Sequence, residues 1–268
     1  LRAGGGGEAM TQEERRVFLL RYLLGERAEY AGIAVPSAAG EQCRMLRSLM
    51  NVRPAEPIGA DFLAVQDEYL RGEVQRRGVT DAAELAADAE GLCLWQGDIT
   101  TLRCGAIVNA ANSGMTGCYI PCHGCIDNAI HTYAGVQLRL ECARIMSAQG
   151  HAEPTGRAKI TPAYNLPCRY VLHTVGPIIT GRVTPRDERL LADCYRSCLE
   201  LAAQYGVESV AFCCISTGEF HFPNVRAAET ALGTVREYKA RTKSDMKVIF
   251  NVFKDQDADI YRRLLRGG

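Results

Sequence analysis

The chain has 268 residues, 47% hydrophobic and 23% charged, the balance of an ordinary globular protein rather than of a disordered or collagen-like one. Lys+Arg 31 against Asp+Glu 31 give a formal net charge of zero, which argues against a protein that works by neutralising a phosphate backbone. No apolar run approaches the ~20 residues that a spanning helix needs, so neither nucleic acid nor membrane is an expected partner.

The opening Leu1-Arg-Ala-Gly-Gly-Gly-Gly7 has neither a Met nor an apolar core, and the first ten or so residues are expected to be a disordered tip or foreign to the natural chain. Thr11 and Glu14 then fit a capping box, in which each side chain satisfies a free N–H at a helix start. Phe18, Leu19, Tyr22 and Leu23 recur at helical spacing until Gly25. A second helix is expected from about Gly40 to Met50, stopping before Arg53-Pro54-Ala55-Glu56-Pro57. A third carries Phe62, Val65, Tyr69 and Leu70 on one face and ends at Gly78. Residues 1–90 thus form an N-terminal helical extension.

From residue 91 the pattern changes. Short apolar or β-branched runs at Leu92–Trp95, Ala106–Asn109, Tyr170–Val175, Ser209–Ile215 and Val248–Phe253 read as strands, with a shorter one at Ala158–Pro162. Amphipathic stretches near Ile126–Met146, Arg186–Tyr205, Val225–Ala240 and Ala258–Leu265 alternate with them. Strands alternating with helices predict an α/β domain over 91–268, a sheet covered on both sides. Residues 1–90 are mildly acidic and the remainder mildly basic; an anionic ligand would suit the latter, but solvated surface charge is the better account of it.

Twelve cysteines are many for this length. With no export signal in the sequence, the thiols are expected to meet a reducing, cytoplasmic compartment, where clustered cysteines mean metal or catalysis more often than disulfides. The cluster lies in Gly117-Cys-Tyr-Ile-Pro-Cys-His-Gly-Cys-Ile-Asp-Asn-Ala-Ile-His131. Cys118, His123 and Cys125 would supply three zinc ligands and leave a fourth position open, the pattern of a catalytic rather than a closed structural site. The competing account is a loop of small buried thiols, and the spacing favours the metal.

Three other segments carry chemistry. Asp98, in Gln96-Gly-Asp-Ile-Thr100 after a strand, either caps the next turn or accepts from an exocyclic amine, and spacing alone favours the cap. Asn109 and Asn112, in Val108-Asn-Ala-Ala-Asn-Ser-Gly-Met-Thr-Gly117, end a strand where small residues let backbone N–H groups approach an anion; ordinary turn chemistry explains the same residues. Ser216, Thr217 and Gly218, in Ile215-Ser-Thr-Gly-Glu-Phe-His-Phe-Pro223, suit a second anion-binding turn, with Phe220 or Phe222 able to pack on a ring and a helix beginning near Pro223; a plain strand-to-helix connector with core aromatics fits the same residues equally well.

Together, Gly97-Asp98-Ile99-Thr100, Ile107-Val-Asn-Ala-Ala-Asn112, Ile126-Asp-Asn-Ala-Ile-His131 and Ile215-Ser-Thr-Gly-Glu-Phe220 resemble, in the same order, the motifs of the macrodomain family. The resemblance covers about residues 91–268. It implies a three-layer α/β/α sandwich with a mixed central sheet, preceded here by the helical extension. The cysteine loop replaces the family's glycine-rich loop and is similar to the zinc-dependent protein-ADP-ribose hydrolase branch, mainly microbial, as is the extension.

The resemblance implies that Asp98 binds the adenine amine, with Ile99 contacting the ring through its backbone. Ser216, Thr217, Gly218, Glu219 and Phe220 would cradle the diphosphate, with Phe220 near the distal ribose. Asn112 would hold the distal ribose hydroxyls, and Asn109 would support the loop. Cys118, His123 and Cys125 would hold Zn²⁺, with Cys122 a rival thiol. Asp127 would orient or deprotonate water, unless it merely caps its helix. The implied reaction removes mono-ADP-ribose from ester-linked Asp/Glu side chains, zinc acting as a Lewis acid or by lowering the pKa of water towards ~7. Analogy within the branch suggests a lipoyl-carrier protein of glycine-cleavage type as target, modified by a sirtuin-type transferase. A non-catalytic ADP-ribose reader and an O-acyl-ADP-ribose esterase fit the same motifs.

Overall fold

The computed structural model describes residues 10–266, so the expectation for the N-terminal tip lies outside the described residues. Helix α1 (Gln12–Gly25) opens with the expected capping box: Glu14 N–H donates to Thr11 Oγ1 at 3.2 Å, and Thr11 N–H donates to Glu14 Oε2 at 2.8 Å. Helices α2 (Ala39–Val52) and α3 (Ala60–Arg77) follow, the last ended by Gly78 at φ +86°. Their apolar faces close on one another around Leu19, Leu20, Leu46, Phe62 and Leu70. Phe62 is fully buried, a burial that stabilises by roughly 1.5–3 kcal/mol. Inside this cluster Arg16 Nε donates to Gln42 Oε1 at 2.8 Å, which keeps a buried guanidinium satisfied.

Strand β1 (Thr80–Asp81) leaves the extension and pairs in parallel with β3 (Leu102–Arg103), a two-residue ladder. The main sheet contains β2 (Leu92–Gln96), β4 (Ala106–Ala110), β5 (Ala158–Pro162), β6 (Tyr170–Thr174), β7 (Ser209–Phe212) and β8 (Lys247–Val252). Its order is β2-β8-β7-β4-β6-β5, parallel throughout except for β5, which runs antiparallel to β6 at the edge. Ala106, Ile107, Val108 and Asn109 of β4 are all buried, as befits a central parallel strand covered on both faces.

Helices α4 (Ile126–Ala134) and α5 (Val136–Gln149) pack on β4 and β5, and the extension packs on α4. Helices α6 (Pro185–Gln204), α7 (Asn224–Thr242) and α8 (Asp255–Arg266) pack on one another and complete a three-layer α/β/α sandwich.

Three expectations shift in detail. The amphipathic stretch from Ile126 divides at Gly135, whose φ of +97° no L-residue adopts readily and where a Cβ would sit 2.7 Å from Gln66. Gln66 Oε1 instead accepts from Val136 N–H at 3.0 Å and satisfies the start of α5. The strand expected over Ser209–Ile215 ends at Phe212, and Cys213-Cys214 leave the ladder and line a cleft, Cys213 while also packing in the core. Pro223 is the N-cap of α7 and Asn224 its first helical residue. Cys194 and Cys198 are core residues.

A buried imidazole locks the sheet across β4, β6 and β5. His173 Nδ1 accepts from Asn109 Nδ2 at 3.2 Å, which leaves the ring hydrogen on Nε2 to reach Thr161 Oγ1 at 3.0 Å. Burial holds this imidazole down to about 3, against about 6.5 in the unfolded chain. Below pH 6.5 the unfolded chain takes up a proton that the folded chain refuses until about pH 3. The stabilisation is therefore complete above pH 6.5 and drains as pH falls, by about 1.4 kcal/mol per pH unit. Urea unfolding at pH 7, 6 and 5 is expected to show a shallower acid loss for His173→Gln than for the parent. Identical slopes would refute the buried neutral ring.

Candidate functional site

The loops leaving the carboxyl ends of the parallel strands surround a cleft of about 820 Å³, large enough for a nucleotide-sized ligand. Asp98, Ile99, Asn112, Cys118, His123, Cys125, Asp127 and the turn Ser216, Thr217, Gly218, Glu219 and Phe220 all line it. The residues singled out in the sequence therefore share one wall system, although 122 positions separate the first from the last. Each is held in a specific way.

Asp98 caps the short turn Ile99–Thr101, accepting from Thr100 N–H at 2.9 Å and Thr100 Oγ1 at 2.6 Å. Its other oxygen pairs with Arg77 Nη1 at 2.6 Å. Capping leaves the carboxylate part-exposed to the cleft, and two oxygens offer about four acceptor sites, so the capping role does not exhaust it.

Asn112 closes the turn after β4: its Oδ1 accepts from Gly114 N–H at 2.9 Å and its Nδ2 donates to the Gly117 carbonyl at 3.1 Å. Nδ2 also reaches Asp127 Oδ2 at 3.3 Å. Gly117 is required there, since its φ is +89° and a Cβ would meet the His131 ring at 2.8 Å.

Asp127 is not a helix cap. The N-cap of α4 is Cys125, whose Sγ accepts from Asn128 N–H at 3.4 Å, and this frees Asp127 to turn inwards. Its Oδ1 accepts from Asn109 Nδ2 at 2.8 Å and lies 3.5 Å from His131 Nε2. Burial pushes the carboxyl up to about 6, with the Asn109 hydrogen bond and the Arg139 cation pulling back. Burial likewise keeps His131 well below its usual range, so the ring is neutral. Asn109, wholly buried, stands behind Asp127 as a support, with its own Oδ1 lacking a protein partner.

Cys118 Sγ, a His123 ring nitrogen and Cys125 Sγ lie within 4.8 Å of one another, with Cys118 Sγ 3.7 Å from His123 Nδ1. All three are half-buried at the cleft. Two thiols and an imidazole form a donor set suited to zinc, open on the cleft side. Burial pushes the Cys125 thiol up to about 12, a value that a bound cation would reverse. Glu219 reaches across from the opposite turn, with Oε1 3.6 Å from His123 Nε2. Cys122 points away: Sγ lies 3.2 Å from Ser48 Oγ and 3.4 Å from the Arg44 carbonyl, and the residue adopts φ +53°.

The Ser216 turn is tightly made. Ser216 sits at φ +65° with a buried Oγ that has no protein partner, and Phe222 N–H donates back to its carbonyl at 2.9 Å. Phe222 is in the core, so Phe220 alone of the two aromatics faces the cleft. The sequence reading missed Arg47, Tyr133, Asn251, Phe253, Lys254 and Asp257, which also line it. Asn251 through Lys254 had a usable signal, since they leave a parallel strand at the same edge as the others; Arg47 and Tyr133 had none.

The macro domain family pattern matches residues 108–231. A protein-ADP-ribose hydrolase of Treponema medium is 58% identical over 260 residues, 96% of this chain and 100% of its own. A protein-ADP-ribose hydrolase of Staphylococcus aureus (strain MSSA476) is 48% identical over 94% of this chain and 95% of its own. The crystal structure of a Trypanosoma brucei macrodomain in complex with ADP-ribose is similar at a TM-score of 0.57 and 29% identity, covering 97% of this chain and 92% of that one. The chain belongs to the macrodomain family. The relatives that match it over nearly their whole length carry the name protein-ADP-ribose hydrolase.

The direction of the four loop thiol and imidazole groups is testable by metal content. Under equal loading with zinc, Cys122→Ser is expected to bind as much as the parent, whereas Cys118→Ser and Cys125→Ser each bind much less. Loss of zinc in Cys122→Ser by elemental analysis would contradict the geometry.

Proposed function

We propose that the protein is a zinc-containing protein-ADP-ribose hydrolase that removes mono-ADP-ribose from modified proteins, at ester-linked Asp or Glu side chains. The observation that carries this reading is the meeting of the Cys118–His123–Cys125 donor set with Asn112 and the inward-turned Asp127 in a single cleft wall. Near-full-length similarity to proteins named for that activity supports it.

In this reading residues 91–268 are the macrodomain and residues 1–90 a helical extension with its own apolar cluster. Asp98 accepts from the adenine amine and Ile99 lies along the ring. The Ser216–Phe220 turn cradles the diphosphate, helped by the unpartnered Ser216 hydroxyl, with Glu219 also facing the metal loop. Phe220 packs near the distal ribose, whose hydroxyls Asn112 holds. Asp127 orients a water molecule and takes one of its protons as the water oxygen bonds to the anomeric carbon. The bond from that carbon to the ester oxygen breaks, the Asp or Glu side chain leaves with the electron pair and receives the proton, and ADP-ribose is released. Bound zinc would supply Lewis-acid polarisation beside the anomeric carbon.

The target is proposed by analogy alone to be a lipoyl-carrier protein modified by a sirtuin-type transferase. A reducing cytoplasmic location is supported by twelve cysteines that are all unpaired. Among the described residues no helix is long and apolar enough to cross a membrane.

The decisive sample is purified protein assayed for zinc and for ADP-ribose release from an Asp/Glu-modified protein, before and after chelation. About one zinc per chain is expected, with release that disappears on stripping and returns with zinc. Undiminished release from verified metal-free protein overturns the zinc role; binding without release makes the protein a reader. Faster turnover of O-acetyl-ADP-ribose than of modified protein makes it an esterase. Cys125→Ala is expected to lose metal and activity together. Asp127→Asn is expected to lower kcat by about 10²–10⁴ with ADP-ribose affinity nearly unchanged, the range of a lost general base.

A further inference from the structure

The extension reaches both ends of the cleft through long side chains, which hold loop backbone at one end and loop side chains at the other. At the metal-loop end, Arg47 Nη2 donates to the His123 carbonyl at 3.0 Å and to Asn128 Oδ1 at 2.8 Å. Asn128 in turn donates from Nδ2 to the Ile120 carbonyl at 2.9 Å and from its backbone N–H to Cys125 Sγ at 3.4 Å. One residue turn later on α2, Asn51 Oδ1 accepts from Cys122 N–H at 2.9 Å. The run from Ile120 to Cys125 is thereby tied at four points, two of them in or at the donor set.

At the other end, Arg77 in the last turn of α3 donates from Nη1 to Asp98 Oδ2 at 2.6 Å and to Thr100 Oγ1 at 2.8 Å. Its guanidinium carbon lies 3.6 Å from the centroid of the Tyr133 ring, a cleft residue, so the cation is clamped between ring and carboxylate. Its Nε and Nη2 are buried without protein acceptors, which leaves Asp98 and Thr100 as the groups that hold its orientation.

A loop that gathers three ligands loses backbone freedom when it closes on a metal, and an arginine that has already fixed one loop carbonyl and the Asn128 amide that holds another lowers that entropic cost. Groups behind the ligands commonly set metal affinity for this reason. A charge-assisted bond to one oxygen of Asp98 fixes the direction in which the other acceptor sites point. We infer that the helical extension is the positioning element of the cleft, acting through Arg47 on the metal-ligand loop and separately through Arg77 on Asp98. This rests on the reading of Cys118, His123 and Cys125 as zinc ligands and of Asp98 as the adenine acceptor.

The test separates the two effects in the full-length protein. Zinc affinity is measured by competition with a chromogenic chelator. Base recognition is measured calorimetrically as the ratio of dissociation constants for ADP-ribose and its inosine analogue, which lacks the exocyclic amine. Arg47→Ala is expected to weaken zinc about 10–100-fold and to leave the base ratio within about twofold, with Arg47→Lys recovering part of the loss. Arg77→Ala is expected to leave zinc affinity within about twofold and to reduce the preference for ADP-ribose about tenfold. Where an alanine variant does not fold, the lysine variant at that position carries the comparison. Equal losses of both readouts in both variants, or no change in either, overturn the inference. A parent that binds neither zinc nor ADP-ribose overturns the functional reading itself, and is recognised before any variant is made.

Discussion

The site depends on one topological constraint: β2, β8, β7, β4 and β6 run parallel, so every one of them ends at the same edge of the sheet. Parallel pairing makes the chain cross back before each parallel strand, through α6 before β7, α7 before β8, the antiparallel β5 before β6 and the short connection over residues 99–103 before β4, and it delivers successive loops to one rim. Asp98 follows β2, Asn112 follows β4, Ser216 follows β7 and Phe253 follows β8. None of these residues touches another by being near it in sequence. Their convergence is a property of the ladder, and a single strand reversed would carry its loop to the opposite rim.

Buried polar groups then convert a rim of loops into a shaped wall. Asn109 reaches Asp127 on one side and His173 on the other, so one strand residue couples the cleft to the interior of the sheet. Arg139 of α5 donates to the Thr116 carbonyl and to the carbonyls of Met50, Asn51 and Arg53 at the end of α2. A cation at a helix C-terminus satisfies orphan carbonyls and opposes the dipole. Here it also anchors the start of the loop over residues 118–125, and its face stacks on Tyr119, 4.2 Å from the ring centroid. The wall is made of hydrogen-bonded loops whose partners lie in other elements, and it is rigid where those partners are buried.

Much of this was legible beforehand, and unevenly. The capping box at Thr11 and the stop at Gly78 appear as expected because both are decided within a turn of chain. The Cys118–His123–Cys125 spacing was legible because a short loop with Pro121 and Gly124 has few ways to bring its donors apart. The role of Asp127 was not legible. A carboxylate at the start of a helix caps in most settings, and only the Cys125 thiol taking the cap together with the Asn109 amide waiting in β4 turns it inwards. Phe220 and Phe222 were equivalent in sequence, and the tight return from Ser216 to Phe222 sends one to the cleft and the other to the core.

The sequence by itself determined the kinds of elements, their order, and the four loops that carry the chemistry, because helix periodicity, strand runs and turn residues act between near neighbours. Tertiary structure alone decided which atoms of those loops are available. Cys122 faces Ser48 and Arg44 rather than its neighbouring thiols, 74 and 78 positions away in the chain. Arg47 becomes part of the cleft wall and Arg77 the support of its Asp98 through bonds spanning 76 and 21 positions. Such pairings follow from the rule that buried polar groups must find partners, and which partner is within reach is known only once the helices have packed.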